Sequence, residues 1–206
     1  MGHTTDFVGH LDISPPLNAA ERAYLEAFRW TRHCDHGGSP YDVRGNPMAP
    51  DDLSIERRSE LGPGKPQLYC QWAACGEGCC LSFDGNEKFY EPTRWLIYLV
   101  DHLLGPDAIA AGVSHPQLAG FTFDHHLDGI IVGCRRDNRE LFALVVQDNV
   151  VSREVMRRGD LEFGGFPPLA YQEAIDRENR DRDNRRRDSP AARAGGARPR
   201  LVVSRE

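Results

Sequence analysis

No apolar run in this chain approaches the roughly 20 residues that a membrane-spanning helix needs. WLIYLV at 95–100 is six residues long and belongs to an amphipathic pattern. The opening residues MGHTTDFVGH lack a basic stretch followed by an apolar one, so no secretory leader is expected. Also missing are a glycine-rich phosphate cradle, HExxH, GxSxG and a dinucleotide fingerprint. None of the nine serines stands in a recognised nucleophile motif. These absences point away from familiar enzyme classes and toward a cytoplasmic protein without a cofactor. In that compartment thiols stay reduced, so the six cysteines read as free thiols or ligands rather than disulfides.

Charge is unevenly spread. The net charge is -6, yet residues 171–206 hold ten arginines against seven acids. The remaining body is therefore strongly acidic, and its general field repels nucleic acid. In the tail, RENRDRDNRRRD interleaves both signs, and no aromatic follows Tyr171 to stack on bases. Nucleic-acid association is therefore not the favoured role. With almost no apolar residues to bury, 171–206 is expected to be a disordered tail, and 1–170 a single domain.

Within that domain, FVGHLDIS alternates as a strand, with Val8, Leu11 and Ile13 as inward candidates. Asn18 and Glu21 form a capping pair ahead of a helix over 19–31, whose stripe reads Ala20, Ala23, Tyr24, Ala27, Phe28 and Thr31. Residues 35–66 read as a long loop, with YDV the one piece of strand material. QLYCQWAA and CLSFD flank the turn CGEG as a hairpin. Pro92 opens a second helix over 92–104, ended by Gly105-Pro106; Leu96, Leu99, Val100 and Leu103 form its stripe, thickened by Trp95 and Ile97. DGIIVGC, ELFALVVQ and VVSREV supply the last strands. The order strand, helix, strand, strand, helix, strand, strand predicts an α+β fold. It is an antiparallel sheet with two helices on one face, ferredoxin-like in outline.

PPLN before ERAYLEAF, then YCQW, then NEKFYEPTRWLIYLV, resembles a family of small bacterial and phage-type proteins over roughly residues 7–150. The chain departs from that pattern at Ser39-Pro40-Tyr41, where the family has Gly-Pro-Tyr, and at Asn86, where it has Gly before EKFY. The resemblance implies a shared fold and carries no activity with it.

Four cysteines crowd into CQWAACGEGCC at 70–80. Cys75 and Cys79 have a passable ligand spacing for zinc, and HCDH supplies His33 and His36 as a second pair. Against this, strand alternation sends Cys79 and Cys80 to opposite faces, and the charge of Glu77 opposes thiolate formation. The preferred reading is a thiol-rich turn without metal. In FDHHLDG, His125 and Asp128, with Glu87 from NEKFYEP, are candidates for acid–base or metal chemistry. A polar loop closing on Asp-Gly is the simpler account. Trp72, Lys88, Tyr90 and Tyr41 are candidates for a binding surface at the aromatic-rich junction and the long loop. The resulting expectation is a non-enzymatic interaction module with a protein partner. A metal-binding or hydrolase-type protein is the alternative.

Overall fold

The computed structural model describes residues 4–45, 59–86 and 88–160, with 177, 178, 180 and 181 beyond them. The chain divides into two units, Met1–Phe163 and Gly164–Glu206. In the second, the four described residues are helical and exposed; the rest of the expected tail, and 46–58 of the expected loop, lie outside the described residues.

Strand β1 (Thr5–Ser14) leads through two prolines to helix α1 (Ala19–Trp30). The Asn18 side chain accepts from the backbone N–H groups of Ala20 at 2.8 Å and Glu21 at 3.1 Å. The Glu21 carboxylate in turn accepts from the Asn18 N–H at 2.8 Å, so donors that a helix start leaves open are satisfied reciprocally. A short hairpin follows, β2 (Trp72–Ala74) with β3 (Cys80–Phe83). Helix α2 (Pro92–Leu99) runs into a wider π-helical turn, Val100–Leu104, and stops at Gly105. Strands β4 (His126–Arg135), β5 (Leu141–Gln147) and β6 (Val150–Arg157) complete the unit.

All six strands join one antiparallel sheet in the order β2-β3-β1-β4-β5-β6. Leu11, Ile13, Leu81, Leu127, Ile131 and Leu144 are buried against Tyr24, Leu25 and Phe28 of α1 and Trp95, Leu96 and Leu99 of α2. On the opposite face, no described helix packs, and Val8 and Ile130 are exposed there. The class is therefore α+β, as expected. Its strand order differs from that of a four-stranded ferredoxin-like sheet, because β5 and β6 extend it beyond β4.

Four local expectations need correction. Val8 points to that other face, since it has the opposite parity to Leu11 and Ile13; Phe7 takes the inward place and packs edge-on to Trp72 at 5.5 Å. The α1 stripe is rotated: Glu21, Tyr24, Leu25 and Phe28 are buried, while Ala20 and Ala23 are exposed. Ile97 is also exposed. YDV is not a strand: Tyr41 lies in a turn and is buried, and Asp42 and Val43 are irregular.

Rotation of α1 carries Glu21 into the interior, where it is fully buried. Its Oε1 accepts from the Thr122 N–H at 2.8 Å and the Thr122 hydroxyl at 2.9 Å, and meets His125 Nε2 at 3.1 Å. His125 Nδ1 donates to the Pro15 carbonyl at 2.7 Å. One carboxylate thus ties the start of α1 to the segment before β4 and, through His125, to the end of β1. Burial pushes the Glu21 carboxyl up. The backbone N–H groups of Thr122 and Asn18, then His125 and the Thr122 hydroxyl, outweigh burial and hold it below its ordinary value of 4.5. A carboxyl depressed in the folded state stabilises fully above its unfolded value, and that stabilisation is lost as pH falls through the folded value. Glu21→Gln is expected to lower unfolding free energy at neutral pH by about 3 kcal/mol or more. The gap to the parent protein should narrow on acidification below 4.5. Urea titrations of both proteins across pH check this, and a pH-independent gap would contradict it.

Candidate metal centre

The β2–β3 hairpin ends with Ala74 opposite Leu81. One step further, the Cys75 N–H donates to the Cys80 carbonyl at 2.9 Å, and the Gly78 N–H returns to the Cys75 carbonyl at 3.0 Å. Gly78 closes this turn at φ +74°, a left-handed value that glycine adopts without strain. The tip is also pinned to the body. Ile13 N–H donates to the Cys79 carbonyl at 2.8 Å and Leu17 N–H to the Gly78 carbonyl at 2.9 Å. The Arg22 guanidinium donates to the Gly76 carbonyl. A Cβ on residue 78 would stand 2.6 Å from the Leu17 carbonyl oxygen, too close to be accommodated.

This geometry gathers three thiols. The sulfurs of Cys75, Cys79 and Cys80 all lie within 4.8 Å of one another, with Cys75 and Cys79 3.5 Å apart. The Cys75–Cys79 separation is far beyond a disulfide length, and none of the six cysteines forms a disulfide. The expected divergence of Cys79 and Cys80 is therefore overturned. Alternation governs extended backbone, and Cys79 belongs to the turn, between left-handed Gly78 and Cys80, the first residue of β3.

Electrostatics follow the same arrangement. Slight burial pushes the Cys75 thiol up. The Cys80 and Cys79 thiols and the backbone N–H groups of Cys80 and Glu77 outweigh it and bring it down to about 6. Cys79 is raised, chiefly by its hydrogen bond to Cys75, and Cys80 is pushed up to about 11 for the same reason. Two thiols thus donate to one thiolate. The expectation that Glu77 opposes thiolate formation also fails, because that residue acts here through its backbone N–H.

The other expected residues are dispersed. His33 is buried, donates from Nε2 to the Phe28 carbonyl at 3.0 Å and lies against the Trp95 ring; burial lowers it well below an ordinary histidine. His36 Nε2 lies 3.3 Å from Cys34 Sγ. Among the described residues neither histidine joins the three cysteines. His125 and Asp128 do not share a site either: His125 is buried beside Glu21, while Asp128 is exposed on β4 and accepts from the Asp148 N–H at 2.8 Å. Glu87 lies outside the described residues.

Trp72 and Tyr41 are core residues and not surface ones. Trp72 Nε1 donates to the Pro92 carbonyl at 2.9 Å, pinning the start of α2 to the sheet. Tyr41 is buried, with its hydroxyl 3.1 Å from His102 Nδ1. Lys88 and Tyr90 are exposed, and Lys88 has φ 62°. A residue overlooked in the sequence is Lys65, whose amine is buried among Phe28, Tyr41 and Tyr98. Its signal was its rarity, since Lys65 and Lys88 are the two lysines of the chain.

Comparison with family models, curated proteins and solved structures finds no match to this chain. Among the described residues, no helix is long and apolar enough to cross a membrane.

In the metal-free protein Cys75 is expected to react with iodoacetamide first at neutral pH, at a rate rising through about pH 6. Cys70, pushed up to about 12 by its complete burial, should stay unlabelled. Peptide mapping after brief exposure checks the order; Cys70 or Cys134 reacting ahead of Cys75 would contradict it.

Proposed function

We propose that the hairpin tip is a binding site for a soft metal ion, held by the thiolates of Cys75, Cys79 and Cys80, and that the protein acts as a metal-binding module rather than an enzyme. The convergence of three sulfurs carries this reading. A tetrahedral zinc–thiolate site, with metal–sulfur bonds near 2.3 Å, needs sulfurs roughly 3.8 Å apart. The observed spread reaches that value with small rotations about the side-chain bonds. Thiolates favour zinc(II) or copper(I) over calcium or magnesium, which take oxygen ligands. Cys79 is exposed and Cys75 and Cys80 half-buried, so a fourth position stays open to solvent, an exchanging ligand or a partner protein.

Thiolate ligation requires a reducing surrounding, which supports a cytoplasmic location for the chain. Cadmium, a spectroscopic stand-in for zinc, is the direct probe. Titration of the reduced protein is expected to give a thiolate-to-metal ultraviolet band that saturates at one equivalent. Cys75→Ser, Cys79→Ser and Cys80→Ser should each remove most of it, and Cys134→Ser should not. Gly78→Ala, which displaces the tip from Leu17, is expected to weaken binding roughly ten- to hundredfold while keeping every ligand. A band that survives loss of any two tip cysteines, or no band at all, would defeat the proposal.

A further inference from the structure

The chain carries its basic charge almost wholly on arginine. Of 25 basic residues, Lys65 and Lys88 are the lysines, and one of these two is buried. An arginine cannot lose its proton in a protein, whereas a buried lysine can, and its free amine is then a nucleophile. The placing of Lys65 is thus chemically different from that of the other cations.

The surroundings of Lys65 are specific. Nζ donates to the Tyr98 hydroxyl and lies 4.3 Å from the Tyr98 ring centroid, with the Phe28 ring at 5.0 Å and the Tyr41 ring at 5.9 Å. His102 stacks on Tyr98 at 4.1 Å and pairs with the Tyr41 hydroxyl. A cavity of about 370 Å³ borders this group, lined by Lys65, Arg94, Ile97, Tyr98, Asp101 and His102. Arg94 is exposed on its rim, one helical turn before Tyr98. Burial brings the amine down to about 7, against a small opposing effect of Cys70. That agrees with the low polarity of the ring-lined site.

We propose that Lys65 is a carbonyl-reactive amine that takes small 2-oxo acids from this cavity, with Arg94 receiving the carboxylate. The Nζ lone pair attacks the carbonyl carbon and forms the C–N bond. The carbonyl π pair moves to oxygen, and a proton passes from nitrogen to that oxygen by way of the Tyr98 hydroxyl. The nitrogen lone pair then forms a carbon–nitrogen double bond as the C–O bond breaks, and the hydroxide leaves as water with the second proton of the nitrogen. The step is a reversible condensation and needs no oxidant or reductant. It is independent of the thiol site, since the cavity contains no cysteine.

The two-lysine composition makes the test internally controlled. The full chain is incubated with pyruvate and borohydride, which fixes any imine as a stable secondary amine. After digestion, label is compared at Lys65, Lys88 and the N-terminal amine. Labelling at Lys65 is expected to exceed that at exposed Lys88 by about tenfold or more, and this preference to disappear in protein unfolded with urea. Arg94→Ala should reduce the reaction with pyruvate and leave that with neutral acetaldehyde unchanged. Lys65 labelled no faster than Lys88 would overturn the proposal. So would labelling by pyruvate that is indifferent to Arg94. Neither readout from the parent protein depends on a variant that must fold without the amine. Failure here with the cadmium band intact would leave the metal site standing.

Discussion

The buried carboxylate of Glu21 is the constraint on which the rest of this structure depends. Four polar groups converge on it: two backbone N–H groups, a hydroxyl and an imidazole, from segments about a hundred residues apart. A buried carboxylate is costly unless every lone pair is answered. Here the answering groups lock the start of α1 in position and rotation. Leu17 and Asn18, immediately before the helix, are fixed with it. Leu17 is also the residue against which Gly78 packs, and its N–H holds the Gly78 carbonyl. The hairpin tip therefore inherits its position from a charged network in the core, through a contact that admits no side chain at residue 78.

That connection explains how an exposed turn can present three thiols at one point. Four-residue turns at the surface are commonly loose, and loose ligands lose affinity to the entropy of gathering them. In this chain the tip is held by β1, by Leu17 just ahead of the α1 cap and by Arg22, all of which belong to the packed body. The fold itself brings the sulfurs together, and one of them is favoured as thiolate by the other two.

Much of the fold was legible in the sequence. The capping pair at Asn18 and Glu21, the extent of both helices, the hairpin and the last three strands all follow from local pattern and turn chemistry. The inward role of Leu11 and Ile13 is legible from strand parity. What local pattern could not show was the rotation of α1: a glutamate on an apolar face looks like a solvent residue until its partners, distant in sequence, are known. The same limit hid the thiol site. Strand alternation was applied to Cys79, which belongs to a turn whose path is set by Gly78 and by contact with Leu17. Trp72 read as part of a surface at the aromatic-rich junction and Tyr41 as part of the long loop, yet each side chain is buried and hydrogen-bonded to a segment elsewhere, Pro92 for one and His102 for the other. Lys65 lies in a stretch of glycine and proline with no periodicity, so its burial had no local trace.

The central claim is that the core-docked tip directs three sulfurs to one ion. X-ray absorption at the zinc edge of the zinc-loaded, reduced protein tests it most directly. The account predicts a first shell of three sulfurs at about 2.3 Å with one lighter ligand. A shell made of nitrogen and oxygen alone, or a protein that retains no zinc after desalting, would contradict it.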